Sequence, residues 1–414
     1  MIRSHPLERR LPATFAALRH RNFRLFFAGQ LFSLVGTWMQ SVAQGWLVLQ
    51  LSNSALMLGL VGASSSAPIL ALSLVGGTLA DRLSKRHLLI ATQCAAMLLA
   101  FGLWGLVASG AVQTWHVLVM ALGLGVVMSF DIPTRQAFVV EMVGKEDLVN
   151  AIALNSSAFN AARMVGPAVA GVLIASAGTA NCFLINGLSF LAVIAALFLM
   201  DSRLLNGPRQ PGRSSLREGL GEIRQFLGQS RPQLVVLCMI SVLSVCILPY
   251  AVLMPLFARD VLAVGARGLG VLMSATGVGA MTGALTVATF GGRGSRSRWL
   301  FSSSLLVSAS MLGFSLSRSY PLSLALLFFG GFGIVAQATT SNGFLQLSVP
   351  DALRGRMMGL FGIMFMGMMP LGNLVAGFLA HLFGAPLALG LGACLSGSVT
   401  AAILLFMPRM RHLP

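Results

Sequence analysis

Twelve apolar runs, each close to the ~20 residues a helix needs to cross ~30 Å of hydrocarbon, constrain this chain more than any other feature. They fall near 23–50, 54–80, 87–108, 115–140, 151–177, 180–200, 234–257, 268–291, 299–316, 321–344, 357–383 and 385–407. In lipid, every backbone N–H and C=O must be satisfied by the protein, which admits helices and closed barrels. Runs this long and this uniformly apolar are not tilted barrel strands. The expected fold class is therefore all-α integral membrane, with twelve transmembrane helices. The 9% of charged residues and 56% of hydrophobic ones leave no surplus polar surface for a soluble domain of comparable size. The 46 glycines are expected to serve close helix approach rather than to break helices.

A net charge of +17 raises nucleic acid as a partner, and the placement of the basic residues excludes it. If the N-terminus is cytoplasmic, 24 of the 28 basic residues fall in or beside segments on the cytoplasmic side, leaving Arg259, Arg267 and Arg318 outside and Arg163 within a span. The positive-inside rule then predicts a multi-pass protein of the cell membrane with both termini cytoplasmic and anionic lipid headgroups as neighbours. Residues 1–24 are Arg-rich without a short apolar core, so no cleavable signal peptide is expected. Residues 201–233 are polar, basic and rich in Gly and Pro, and divide six spans from six. The expected organisation is an arm at 1–22, a six-helix bundle at 23–200, a cytoplasmic linker at 201–233, a second bundle at 234–407 and a tail at 408–414. The halves also echo each other. GPAVAG at 166–171 matches GNLVAG at 372–377, with Gly178 and Gly384 following at equal distance. Two pseudo-symmetric six-helix halves point to a secondary transporter working by alternating access, with its substrate site between the halves.

Four charges crowd the stretch GGTLADRLSKRHLL (76–89) between spans two and three: Asp81, Arg82, Lys85 and Arg86. With Gly77, Leu79 and Ala80 they resemble the G-x-L-A-D-R-x-G-R-[RK] signature of the major facilitator superfamily; Ser84 stands where the usual glycine would be. LRHRNFRLFFAGQLFSLVGTWMQ (18–40), FDIPTRQAFV (130–139) and NSSAFNAARMVGP (155–167) are similar to the branch that contains the enterobactin exporter and the macrolide and multidrug efflux proteins. The resemblance implies a monomeric exporter of siderophores or drugs, driven by protons. It also implies that Gly166, Pro167 and Gly171 form an antiporter-type motif in span five. It places the 76–89 turn beside the start of span eleven, where Asp81 would cap amides after Gly355 and Lys85 or Arg86 would reach Glu141, a latch closing the cytoplasmic side.

Polar stripes mark candidate substrate-facing positions. Gln30, Ser33, Thr37, Gln40 and Gln44 of span one recur at helical spacing over about 21 Å, at 1.5 Å per residue. Asn160 in span five, and Gln337 and Thr340 in span ten, follow the same logic. Such stripes either line a pathway or knit helices by hydrogen bonds, and for span one the pathway is the expected role. Two ionisable residues lie deep in spans: Asp131 in span four and Arg163 in span five. An Asp131–Arg163 pair would lower the cost of burying both; the alternative is Asp131 with Arg135 at i, i+4. Asp131 is the candidate proton site, because no other carboxylate lies as deep.

Other functions lack their residues. The only lysines, Lys85 and Lys145, are followed by Arg and Glu, so no Walker GK[ST] is present, and no HExxH or GxSxG occurs. The protein is not expected to be an enzyme. Cys94, Cys182, Cys238, Cys246 and Cys394 fall inside spans without metal-ligand spacing and read as small buried apolar residues; no metal and no cofactor are expected. The 22 Met and 26 Phe suit a cavity for bulky amphipathic molecules. Import of a small nutrient, and a channel or a non-transporting scaffold, stay open as alternatives.

Overall fold

The computed structural model describes residues 13–205, 225–228, 230–291 and 295–407, excluding the side chains of Ala13, Thr14, Leu74, Asp81 and Ala352. Most of the arm, most of the linker and the tail lie outside the described residues. Six long helices form the first half: α1 (Arg21–Ser52), α2 (Ala55–Arg82), α3 (Lys85–Ala108), α4 (Thr114–Val143), α5 (Leu148–Ala177) and α6 (Thr179–Leu199). The second half holds α7 (Arg231–Val261), α8 (Gly265–Phe290), α9 (Arg296–Leu316), α10 (Tyr320–Ser348), α11 (Asp351–Phe383) and α12 (Ala385–Phe406). Eleven of these meet a strict length and hydropathy criterion for a span among the described residues. α1, at 32 residues, is long enough and falls outside that set, since its polar stripe lowers its hydropathy.

Local chemistry sets the ends and the breaks. α1 stops where Asn53 turns left-handed (φ 48°), and α2 starts where the Ser54 hydroxyl accepts from the Met57 N–H at 3.4 Å. Gly178 (φ 80°) and Gly384 (φ 85°) make the equivalent sharp turns α5–α6 and α11–α12, a conformation that favours glycine. α7 and α11 are not straight α-helices. π-turns interrupt them at Leu243–Ile247, Phe257–Val261 and Ile363–Gly367, and Pro249 and Pro255 withhold two backbone donors from α7.

The packing repeats between halves. α1 lies on α5 and α6, α2 and α3 on α4, and α3 on α6; in the same pattern α7 lies on α11 and α12, α8 and α9 on α10, and α9 on α12. The GPAVAG and GNLVAG segments show why the sequence echoes. A methyl built on Gly166 would stand 2.6 Å from the Trp38 side chain on α1, and one on Gly372 would stand 2.9 Å from the Ser244 carbonyl on α7. The second glycine of each motif reaches across the halves instead: Gly171 against Gly270 of α8, and Gly377 against Gly59 of α2. Both cross-contacts lie toward the end of the bundle that carries the α1–α2 and α5–α6 turns, the far face. The opposite end, carrying the 76–89 turn and most of the described arginines, is the basic face. There a methyl on Gly77 of α2, or on Gly355, Gly359 or Gly362 of α11, meets nothing within 4 Å. The halves therefore touch at the far face and stand apart at the basic face. Of the cysteines, only Cys182 is buried; Cys238 and Cys394 are exposed on their helices, a departure from the reading that all five pack inside.

Gly377→Ala should force the far face apart, because the added methyl would lie 2.7 Å from the Gly59 Cα and 3.0 Å from the Ala55 carbonyl. Spin labels at Ser176 and His381, both exposed there, should gain a longer-distance population in Gly377→Ala and keep the parent distribution in Gly355→Ala.

Candidate functional site

Between the halves lies a cavity of about 560 Å³. α5 contributes Phe159, Asn160, Arg163 and Pro167; α1 contributes Trp38, Ser41 and Gln44. Across from them, Tyr250 of α7 and Phe365, Met366 and Asn373 of α11 complete the walls, with Met273 and Met369 adding adaptable thioethers. The broken helices position this wall. Tyr250 follows the first π-turn and Pro249, and Phe365 and Met366 lie within the π-turn of α11.

Arg163 is the charged side chain of the cavity. Its guanidinium donates to the Tyr250 hydroxyl at 3.3 Å and sits 5.7 Å above the Trp38 ring, which meets Phe159 edge-on at 5.6 Å. Among the described residues, no Asp or Glu lines the cavity or lies within ion-pair distance of Arg163. The Asp131–Arg163 pair expected from depth is thus not formed. Asp131 is 1% exposed and turns to its own bundle: Oδ1 accepts from Thr92 Oγ1 at 2.9 Å and from Gln93 Nε2 at 2.7 Å, while Oδ2 accepts from Arg135 Nε at 3.0 Å and again from Arg135 Nη2. The i, i+4 spacing wins because Arg135 reaches the carboxylate along one helix face, whereas Arg163 is drawn to Trp38 and Tyr250.

The polar stripes also divide. Gln44 and Asn160 line the cavity, and Gln30, Ser33, Thr37, Gln40, Gln337 and Thr340 do not. On α1 the stripe faces α6: Gln40 Oε1 accepts from Asn186 Nδ2 at 2.6 Å, and Gly36 packs on Asn186 and Ser189. Thr37 donates to the Ser33 carbonyl of its own helix at 2.8 Å. Gln337 is 1% exposed and donates to the Met239 carbonyl of α7 at 3.4 Å. Gln40 and Gln337 thus knit helices, and the cavity-facing side of α1 is the adjacent Trp38–Ser41–Gly45 line. Sequence reasoning missed Trp38, Tyr250 and Asn373. Trp38 carries no polar periodicity, but Tyr250 is one of only two tyrosines and lies between two prolines, and Asn373 is the polar residue in the repeated GNLVAG.

At the basic face, Lys85 Nζ of α3 meets Glu141 Oε1 of α4 at 2.8 Å, with both largely buried. Arg86 goes elsewhere. It donates to the Leu197 carbonyl (2.7 Å), the Phe198 carbonyl (3.0 Å) and Ser202 Oγ (2.7 Å), capping the end of α6. Arg82 is exposed, and the Asp81 side chain lies outside the described residues.

Pro167 has no N–H, so the Arg163 carbonyl four residues earlier is without its helical donor; a methyl on Gly277 of α8 would stand 2.8 Å from it. The motif Gly166–Pro167–Gly171 thus presses α5 against α1 and α8 while holding Arg163 at the cavity wall.

A family model described as transmembrane secretion effector matches residues 12–413. The multidrug efflux pump Tap of Mycolicibacterium fortuitum is 28% identical, covering 91% of this chain and 93% of its own length. The staphyloferrin A transporter of Staphylococcus aureus is 24% identical over 87% and 90%, and the enterobactin exporter EntS of Escherichia coli 25% over 95% and 94%. Among solved structures, a mutant of the nucleoside transporter NupG superposes with a TM-score of 0.75 at 12% identity, covering 94% of this chain and 99% of that one. The D-xylose–proton symporter gives 0.73 at 12% identity over 95% and 99%. At such identities the likeness is one of fold.

Arg135→Leu should destabilise the purified protein by about 3 kcal/mol, because it strips a buried carboxylate of its ionic partner. Thermal unfolding in detergent should show that loss, and Asp131→Asn in the same chain should recover most of it.

Proposed function

The chain belongs to the transmembrane secretion effector family of the major facilitator superfamily, and from that footing we propose that it is a proton-coupled exporter of amphipathic small molecules. The observation that carries this reading is the Met- and aromatic-lined cavity between the halves, sealed by glycine contacts at the far face and apart at the basic face. Positive-inside bias makes the basic face cytoplasmic, so this conformation loads from inside the cell membrane with both termini cytoplasmic. Relatives along nearly the whole length that are an efflux pump and a siderophore exporter favour the outward direction.

The basic face is built to close as well. A glycine inside a helix costs about 1 kcal/mol relative to alanine, so Gly77, Gly355, Gly359 and Gly362 are unexplained while they face open space. Close approach of α2 to α11 in the alternate state gives them a use, as Gly59 and Gly377 have at the far face. Asp81 and Arg82 form the latch of that closed state; the Lys85–Glu141 pair is already made within the first half while the basic face is open, so it ties α3 to α4 rather than half to half.

Coupling runs through Asp131. All its hydrogen bonds are donated to it, so a proton arriving on the carboxylate displaces one donor. Gln93 is placed to respond: its Oε1 is buried without a partner, and half a turn of the amide would let it accept from the protonated carboxyl. α3 and α4 thereby have two hydrogen-bond arrangements, one for each protonation state. Asp131→Asn should abolish efflux driven by an imposed proton gradient in proteoliposomes and leave ligand binding measurable. Full gradient-dependent efflux by that variant would remove Asp131 from coupling.

Topology has a separate check. A single cysteine at Ser214, a linker position outside the described residues, should resist an impermeant thiol reagent on intact cells and react in inverted vesicles.

A further inference from the structure

Arg163 poses an electrostatic problem that the protein itself does not solve. The guanidinium lies half-buried at mid-length of α5, donates one hydrogen bond to a neutral hydroxyl at 3.3 Å and rests on an indole face at 5.7 Å. A cation held away from water in a membrane protein ordinarily has a carboxylate or a row of carbonyls beside it. Here the nearest candidate by depth, Asp131, is committed to Arg135, Thr92 and Gln93. The cavity wall is therefore a positive one, with a single fixed charge among aromatic rings and thioethers.

We propose that Arg163 is the specificity-determining residue of the cavity and that the substrate is an amphipathic anion, its carboxylate or phenolate bound by the guanidinium and its apolar body held between Trp38 and Phe159 on one side and Phe365 and Met366 on the other. The inference rests on the transport reading above and adds the charge of the cargo. Its chemistry is that of a guanidinium with several N–H donors in one plane, of which Tyr250 engages one group, leaving a planar edge for a two-oxygen anion. Tyr250 and the Trp38 ring hold the fork in place, so little side-chain freedom is lost when the anion arrives. A cationic amphiphile meets repulsion with no carboxylate to offset it.

Three fluorescent probes sharing one dansyl-aryl body and ending in a carboxylate, a primary amide or a primary amine separate the outcomes. Binding to the full-length protein in detergent, measured by calorimetry, should favour the carboxylate over the amide by about tenfold to a hundredfold, the range of one charge-assisted hydrogen bond, and the amine should bind more weakly than the amide. Arg163→Gln should erase the preference, so that the carboxylate and the amide bind that variant equally within about twofold. Arg163→Lys should keep part of the preference, and unchanged thermal unfolding of both variants in detergent shows that the fold is intact. Equal binding of all three probes to the parent protein, or a carboxylate preference that survives Arg163→Gln, overturns the charge assignment and leaves the transport reading standing. A carboxylate preference lost in Arg163→Gln, without export of that probe from proteoliposomes under any imposed gradient, overturns the transport reading and leaves Arg163 as an anion site.

Discussion

Backbone-to-backbone contact between the halves is the constraint on which the rest of the structure depends. Gly59 meets Gly377 and Gly171 meets Gly270 so closely that a single methyl on any of the four would find its nearest main-chain atom at 2.4–2.9 Å. Main-chain atoms cannot rotate out of the way as the end of a long side chain can. These two contacts therefore fix the far face as closed, and they hold α5 and α2 against the other half while the basic ends diverge. The cavity exists because the contact is confined to one end of the helices. Without a hydrophobic drive between helices in lipid, this kind of small-residue packing is the main source of cohesion that can be made at one end and broken at the other.

The amount of the molecule legible in the sequence follows from how each feature is written into it. Helix number and most ends are written as apolar length: the runs expected at 23–50 and 385–407 appear as Arg21–Ser52 and Ala385–Phe406, whereas the run expected from 357 starts at Asp351, because the polar first turns DALRGR are helical without being apolar. The duplication was visible in GPAVAG and GNLVAG because the same two contacts, one within a half and one between halves, demand glycine at the same two places. The direction in which a polar stripe points is not written in periodicity. Gln30, Ser33 and Gln40 share a face, but a helix in a bundle has several neighbours, and here α6 packs Asn186 and Ser189 on Gly36 of that face and donates from Asn186 to Gln40. The cavity face of α1 is one of aromatic and small residues, Trp38 and Gly45, which look like ordinary packing in a sequence. The π-turns were equally hidden, since nothing in LSVCI or IMFMG differs from its helical surroundings.

Pairing of the two deep charges shows a similar limit. Depth along a helix places Asp131 and Arg163 at comparable heights, but it carries no information about rotation. Asp131 faces α3 and Arg163 faces the other half, so each acquires a different partner chemistry: four donated hydrogen bonds for the carboxylate, and an aromatic face with a phenol for the guanidinium. Separation of these groups gives the protein two independent electrostatic elements, one inside a bundle and one facing the cavity.

α5 joins the cavity element to the closure of the far face. Within nine residues it carries Arg163 at the cavity, Gly166 against α1, Pro167 and Gly171 against α8. The proline leaves the Arg163 carbonyl without its helical donor, and Gly277 of the opposite half packs over that carbonyl. A ligand that draws the Arg163 side chain therefore pulls on the same turn of helix whose backbone seals the far face. The energies need not be large: about 1.4 kcal/mol of differential interaction changes a two-state population tenfold. On the proposed anion reading, a charge-assisted contact at Arg163 made in only one of the two states would be of that order, and it would couple occupancy of the cavity to the α5–α8 contact through a single short segment rather than through a relay of side chains.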